Sequence, residues 1–132
     1  TNISKENFSI LNELNIQLLE YSKDPLLIYK KLDIIVNPTN YFEGLNRVIL
    51  EAGSLEIPII TAKNRGINDV IPNEDYGYLL DRMGSPLEIC LKIQKIIENP
   101  REAEIKSKNL RKHIEENFSV NIASQKFLEL IN

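Results

Sequence analysis

The chain has 132 residues, a formal net charge of -3 at pH 7 and a 42% hydrophobic composition. This length predicts one domain that is large enough for a real core but too small for a two-domain enzyme. The basic residues are dispersed, which argues against a nucleic-acid-binding surface, and the apolar runs are too short to span a membrane. The single cysteine, Cys90, excludes an internal disulfide and is typical of a reducing cytoplasm.

Three elements are predicted ahead of the first long apolar run. Apolar residues at helical spacing predict a short helix over residues 4–14, and residues 16–21 are typical of a strand. Asp24-Pro25 predicts a helix start, with aspartate as the cap and proline at the first helical position. The mostly apolar helix that follows is predicted to end at Asp33.

Residues 33–61 predict a parallel βαβ unit. Residues 33–37 are typical of a short strand that is buried on both faces. A helix is predicted over residues 43–56 and a second strand over residues 58–61. In such sheets the ligand binds beyond the carboxyl ends of the strands. These ends lead into two predicted loops, one beginning at Pro38 and one that carries Asn64, Arg65 and Gly66.

The helix predicted over residues 43–56 has an apolar face and a charged face. At 100° per residue, the core stripe consists of Leu45, Val48, Ile49 and Ala52. The opposite side carries Glu43, Arg47, Glu51 and Ser54. The two glutamates are about 80° apart around the helix and about 12 Å apart along it. This Glu-Arg-Glu spacing also fits a solvated ion-pair ladder, although Leu50 on the same side is unusual for a face that contacts only water.

The start of this helix is suited to a phosphate group. Gly44 lacks a side chain, so a ligand can approach the backbone there. The free amides of the first turn and the positive end of the helix dipole favour an anion. A ligand with a diphosphate at this end and hydroxyls further along would use both glutamates as hydrogen-bond acceptors.

Three helices are predicted at the end of the chain. Residues 85–88 form a capping box, and the helix that they start runs to about residue 98. Another helix follows to about residue 117, and the last covers residues 119–131. The core stripe of the first of these helices is predicted to be Leu87, Cys90, Leu91 and Ile97, with Ile93 beside it. Cys90 is therefore predicted to be a packing residue.

His113 is the only histidine and lies among charged residues, so we expect it at the surface and predict no metal site.

The region around residues 33–72 resembles the signature of the family 4 retaining nucleotide-sugar glycosyltransferases, which have the two-domain GT-B fold. The family pattern is a strand, then P-S-x-x-E-G-x-G, a second glutamate eight residues after the first, an A-x-x-G-x-P-V-I run and a G-G-x-x-E loop. The matching residues are Pro38-Thr39, Glu43-Gly44, Glu51-Ala52, Pro58-Ile59-Ile60, and Gly66 with Asp69. Residues 76–80 resemble a later strand of the family, and the resemblance covers about residues 10–131.

Four positions depart from the family pattern. Asn46 and Arg65 each stand where many members have glycine, and Asp69 is a shortened glutamate. Glu56 replaces the usual helix-ending glycine, so the helix must end without a glycine in the left-handed conformation. These departures concern the sugar side of the site more than the nucleotide side.

The resemblance implies an α/β fold: a Rossmann-like three-layer α/β/α domain with a parallel sheet. It would be the C-terminal half of a GT-B fold, a single partial domain over residues 1–132 that lacks its first strands. Because the chain has no initiator Met, we expect it to be a piece of a longer protein. In two-domain relatives the terminal helix reaches back to the other domain, so the apolar face of residues 119–131 is expected to be under-covered.

The function that the resemblance implies is binding of a nucleoside-diphosphate sugar, for transfer with retention to a glycan or lipid-linked acceptor. Surface polysaccharide or glycoconjugate biosynthesis is the implied process, and a missing N-terminal domain would hold the acceptor. Glu43 would be the catalytic residue at the donor sugar, and Glu51 would bind the ribose. The donor sugar and diphosphate would contact Gly44, Leu45, Asn46 and Arg47, with Arg65 and Gly66 in a nearby loop. The resemblance implies neither a metal nor any other cofactor.

Two other functions stay open at this point. The chain could be a non-catalytic nucleotide-binding or regulatory module of the same fold, or a generic α/β interaction domain whose charged helix face is only a salt ladder. A Glu51 carboxylate that is buried beside an open cleft favours nucleotide binding, and a fully solvated one favours the salt ladder. We expect a cytoplasmic protein that is inactive as this piece alone. The full enzyme would sit at the inner face of the plasma membrane as a peripheral protein, and self-association of this piece is compatible with the sequence.

Overall fold

The computed structural model describes residues 9–11, 13–19, 21–39, 44–81 and 84–131, without the side chains of residues 126, 127, 130 and 131. In chain order the elements are α1 (Leu26–Tyr29), β1 (Ile35–Asn37), α2 (Arg47–Ser54), β2 (Ile59–Ala62), α3 (Arg65–Val70), β3 (Tyr78–Leu80), α4 (Pro86–Glu98), α5 (Pro100–Asn117) and α6 (Val120–Ile131).

The three strands form one parallel sheet in the order β1-β2-β3. Ile35 of β1 pairs with Ile59 of β2, and Ile60 of β2 pairs with Tyr78 of β3. The predicted parallel βαβ unit is therefore confirmed, with β2 one residue further along the chain than predicted.

Helices cover both faces of this sheet. On one face α2, α3 and α5 pack on the strands through a buried cluster that includes Ile49, Ile59 and Leu110. On the other face α4 and the start of α5 pack through a second cluster that includes Ile60 and Ile96. Neighbouring strand residues such as Ile59 and Ile60 belong to opposite clusters because side chains alternate along a strand. The predicted α/β class with three layers is confirmed.

The prediction that β1 is buried on both faces is wrong. Ile35 is buried, but Val36 is 39% exposed. β1 lies at the end of the described sheet, whereas α4 packs against β2 and β3. The second face of β1 therefore stays partly open.

α2 begins at Arg47 and not at residue 43 as predicted. Asn46 has an extended backbone, and its Oδ1 accepts a hydrogen bond of 3.1 Å from the Ile49 amide, which caps the helix. The predicted stripe is only half correct: Ile49 and Ala52 are buried, but Leu45 and Val48 are 45% and 41% exposed. Leu45 is exposed because it precedes the capping residue. The buried face of α2 is the one that packs on α5 at Gly53, and Val48 lies at the margin of that face.

The end of α2 has a left-handed residue that is not a glycine. Glu56 has φ 58°, and its amide donates to the Gly53 carbonyl while the Ile57 amide donates to the Ala52 carbonyl, both at 3.1 Å. This pair of hydrogen bonds is the Schellman motif. The helix ends without a glycine, as predicted.

Predictions in three shorter segments need correction. Residues 16–19 and 21 form no strand, and their large apolar side chains are exposed, so the predicted strand has no sheet to join among the described residues.

Asp24 caps α1 as predicted, through a bond of 3.1 Å from the Leu26 amide to its Oδ1. α1 ends at Tyr29 and not at residue 33, because the turn tightens there.

The predicted loop at residues 64–66 is a helix start, in which Asn64 Oδ1 accepts from the Ile67 amide at 3.1 Å. Of the predicted helix over residues 4–14, residues 9–11 are helical and residues 4–8 lie outside the described part.

The bounds of α4 and its Ser85 cap are confirmed, but its predicted core stripe is wrong. Leu87, Leu91 and Ile97 are 69%, 56% and 69% exposed, and Cys90 is exposed as well. The sheet is instead covered by the isoleucines Ile89, Ile93 and Ile96. This helix carries apolar residues on nearly every side, so its sequence allows two apolar stripes. The sheet contacts the stripe of isoleucines and not the predicted one. Cys90 is therefore not a packing residue.

The two C-terminal helices begin and end close to the predicted residues. Val120 and Leu128 of α6 are 81% and 54% exposed, whereas Ile122 is half-buried. The under-covered apolar face of this helix stays a prediction, because the side chains of residues 127, 130 and 131 lie outside the described part. His113 is not a surface residue: it is half-buried between the Tyr76 and Phe118 rings, at centroid distances of 5.1 and 5.8 Å. Within the described ranges, no helix has both the length and the apolar character that crossing a membrane requires.

Candidate functional site

The loops that follow β1 and β2 are tied together at the carboxyl edge of the sheet. The Thr61 hydroxyl donates to the Asn37 carbonyl at 2.9 Å, and the Asn64 side-chain amide donates to the Thr39 carbonyl at 3.3 Å. Asn64 also caps α3, so one residue fixes both the second loop and the helix after it. The two loops predicted to surround a ligand site therefore lie side by side.

The segment before α2 is open to solvent at Gly44. A Cβ atom built on Gly44 would meet no atom of the described residues within 4 Å, and its φ is not positive. Neither packing nor backbone conformation therefore requires a glycine here. Leu45 is exposed beside it, whereas the Asn46 side chain is buried and committed to the cap of α2.

Glu51 lies in the second turn of α2 and has two side-chain partners. Arg47 Nη2 donates to Oε1 at 2.9 Å, and the Tyr29 hydroxyl donates to Oε2 at 2.9 Å. The Arg47 side chain is 85% exposed, whereas that of Glu51 is 33% exposed. The structure thus brings two predicted site residues together, and it adds Tyr29, which sequence reasoning treated only as an apolar helix residue. A half-buried tyrosine usually finds a hydrogen-bond partner for its hydroxyl, but the sequence alone does not show that Tyr29 is half-buried or beside Glu51.

The Tyr29 hydroxyl is a donor in this contact. Burial, and then the hydrogen bond and the negative charge of Glu51, raise the pKa of Tyr29 above its usual 10.0. The phenol therefore stays protonated at neutral pH.

Two cavities open beside Glu51. One of about 330 Å³ is lined by Asp24, Pro25, Leu26, Tyr29, Glu51, Ser54 and Leu55. The other, of about 270 Å³, is lined by Leu50, Glu51, Ser54, Ile114, Glu115, Phe118 and Ser119. Leu50 is half-buried against the core, which accounts for an apolar residue on this side of α2. Glu51 is therefore partly enclosed beside open space and is not a fully solvated member of a salt ladder.

The other predicted site residues are less closely grouped. Arg65 is exposed and Gly66 is buried in the first turn of α3, and Glu43 lies outside the described residues. A larger cavity of about 560 Å³ lies at the junction of α4 and α5, and none of the predicted site residues lines it. Among the described residues, no group of three or more His, Cys, Asp or Glu side chains could hold a metal ion.

These features define a Rossmann-like α/β domain with a partly enclosed carboxylate beside open space on α2. The chain belongs to the glycosyl transferases group 1 family, whose model matches residues 5–117. It is 31% identical over 118 residues to the capsular polysaccharide biosynthesis glycosyltransferase CapM of Staphylococcus aureus, an alignment that covers 89% of this chain and 30% of CapM.

Solved structures have the same fold. The chain resembles HepE of Anabaena in complex with UDP, with a TM-score of 0.85 and 21% identity over 96% of this chain and 36% of HepE. HepE in complex with UDP-glucose gives a TM-score of 0.83. The C-terminal domain of the group 1 glycosyl transferase LpcC of Francisella tularensis gives 0.71 with 20% identity, over 88% of this chain and 62% of that domain. The chain therefore has the fold of the C-terminal domain of a GT-B glycosyltransferase, and it spans about a third of CapM and HepE.

Proposed function

We propose that this chain is the donor-binding domain of a retaining glycosyltransferase of family 4. It binds a nucleoside-diphosphate sugar, which the whole enzyme transfers to a glycan or lipid-linked acceptor. The observation that carries the proposal is the Glu51 carboxylate, partly enclosed beside two cavities and held by two donors. The UDP and UDP-glucose complexes of HepE support the choice of ligand class.

In this proposal the donor lies across the start of α2. Its diphosphate faces the open space at Gly44 and the backbone amides near Leu45 and Asn46, where the positive end of the α2 dipole favours an anion. Arg47 adds a mobile positive charge, because its side chain is mostly exposed. Glu51 accepts hydrogen bonds from the ribose hydroxyls, and Glu43 contacts the donor sugar as the catalytic residue. Arg65 and Gly66 begin α3 on the adjoining loop, on the diphosphate side.

The chemistry is then mainly electrostatic. Preorganised backbone amides stabilise the negative charge that develops on the leaving diphosphate. The proposed reaction uses neither a metal nor another cofactor, since the helix amides and Arg47 supply the positive field. Similarity to CapM supports a role in surface polysaccharide biosynthesis. We place the whole enzyme at the cytoplasmic face of the membrane as part of this proposal. A separate domain would supply the acceptor site, and this chain alone would not transfer sugar.

Gly44→Val is expected to weaken UDP binding roughly tenfold, which corresponds to about 1.4 kcal/mol. The new side chain would occupy the open space in which the diphosphate is proposed to lie. Binding is measured by amide shifts of the isotope-labelled chain on titration with UDP and with uridine. Uridine, which lacks the diphosphate, serves as the control and should bind the variant and the original chain equally. Unchanged UDP binding by the variant would contradict the placement of the diphosphate at Gly44.

A further inference from the structure

We propose that Tyr29 is a positioning residue that holds the Glu51 carboxylate in the orientation needed for the ribose diol. This inference rests on the proposed function, because it assigns a role to a residue that supports the nucleotide site. The observation behind it is the hydrogen bond of 2.9 Å from the Tyr29 hydroxyl to Glu51 Oε2, between residues 22 positions apart in the sequence.

The two partners of Glu51 differ in how firmly they are held. Arg47 is on the same helix, and its long side chain is 85% exposed. Exposed pairs of this i,i+4 type contribute little, because two flexible side chains must be held in one geometry. Tyr29 is half-buried, and its ring packs against the core cluster that contains Ile49 and Ala52. Tyr29 is therefore the anchored partner of the carboxylate, and Arg47 is the mobile one.

The hydrogen-bond capacity of the carboxylate fits this role. An ionised carboxylate has about four lone-pair sites, two on each oxygen. Tyr29 uses one site on Oε2 and Arg47 uses one site on Oε1. Among the described residues no other side chain bonds this carboxylate, so each oxygen keeps one site for a ligand, which is the number that two neighbouring hydroxyls of a diol require.

The chemical nature of the donor also matters. A phenol holds the carboxylate without neutralising its charge, whereas an arginine pairs with it as a counter-ion. When Arg47 turns towards a phosphate, Tyr29 still fixes the side-chain rotamer of Glu51. Fixing a rotamer before the ligand arrives reduces the entropy that is lost on binding.

Tyr29→Phe is the direct test, because it removes the hydroxyl and keeps the ring in the core. We expect its Kd for UDP to rise about threefold to tenfold, and its Kd for 2′,3′-dideoxy-UDP to stay unchanged because that ligand has no diol. Both constants are measured by amide shifts of the isotope-labelled chain. Tyr76→Phe is the matched control, since Tyr76 is also half-buried against the same core cluster and has no hydroxyl contact with Glu51 among the described hydrogen bonds. It should leave both constants unchanged.

The outcomes separate this inference from the proposed function. If Tyr29→Phe binds UDP normally while Glu51→Ala binds it weakly, the role of Tyr29 is overturned and the nucleotide site stands. Equal losses for UDP and the dideoxy ligand would also overturn it, because they indicate a general structural effect. If the original chain binds neither ligand, both the inference and the proposed function fail. If Tyr29→Phe loses affinity for UDP but not for 2′,3′-dideoxy-UDP, the assignment is supported.

Discussion

Replacing Glu51 with alanine is expected to weaken UDP binding by roughly a hundredfold or more. The variant loses both acceptor oxygens for the ribose diol, and hydrogen bonds to a charged group are worth about 1.5–3 kcal/mol each. Folding should change less, by about 1–2 kcal/mol. The Glu51 side chain is one-third exposed, its contact with Arg47 is a surface ion pair, and the Tyr29 hydroxyl that loses its acceptor lies beside a cavity open to water. Titration by amide shifts gives the affinity, and urea unfolding gives the stability.

Ser54→Ala is the control for this experiment. Ser54 lines both cavities beside Glu51, and within the described part of the chain its hydroxyl bonds only its own helix, to the Leu50 carbonyl at 2.7 Å. It should bind UDP like the original chain. A Glu51→Ala variant that loses stability as much as affinity would contradict the ribose role, because the effect would then be one of folding.

Gly53→Val is expected to lower the free energy of unfolding by about 3 kcal/mol, at the upper end of the cost of overpacking a core. A Cβ on Gly53 would lie 2.5 Å from Ile114 Cδ1 and 2.9 Å from Leu110 Cγ and Cδ2. Both neighbours are buried in the interface between α2 and α5, so they have little room to move. Urea unfolding monitored by circular dichroism measures the loss.

The matched control is the same substitution at an open position. Gly44→Val places its side chain where the structure has open space, so its stability should stay within about 0.5 kcal/mol of the original chain. Equal stability of the Gly53→Val variant and the original chain would show that α5 does not pack on α2 at this glycine.

β1 and β2 could be predicted from sequence because they are short apolar runs separated by a helix of the right length, whereas β3 was indicated by the family resemblance. The bounds of α4 and α5 were also predictable, since Ser85 and two proline starts mark them. The buried face of α4 was not, because apolar residues occur on most sides of that helix and tertiary packing selects one. α2 shows a missed local signal: Asn46 is a good capping residue, but it was interpreted as a departure from a family pattern and as a diphosphate contact.

The candidate site was predictable to a similar extent. Spacing placed Glu51 and Arg47 on one side of the helix, the family resemblance implied their roles, and the structure brings them within hydrogen-bond distance. Tyr29 could not be assigned in this way, because its contact with Glu51 depends on how α1 packs beside α2. The link between the loops through Asn64 and Thr39 was missed for the same reason, since no local pattern joins residues that are 25 positions apart.

The most direct test of the donor-site proposal is a titration of the isotope-labelled chain with UDP, GDP and ADP, followed by backbone amide shifts. The account predicts shifts clustered at residues 44–51 and 65–69 with one of these nucleotides, which would also identify the preferred base. Absence of shifts in those segments with all three nucleotides, or shifts confined to the cavity at the junction of α4 and α5, would contradict it.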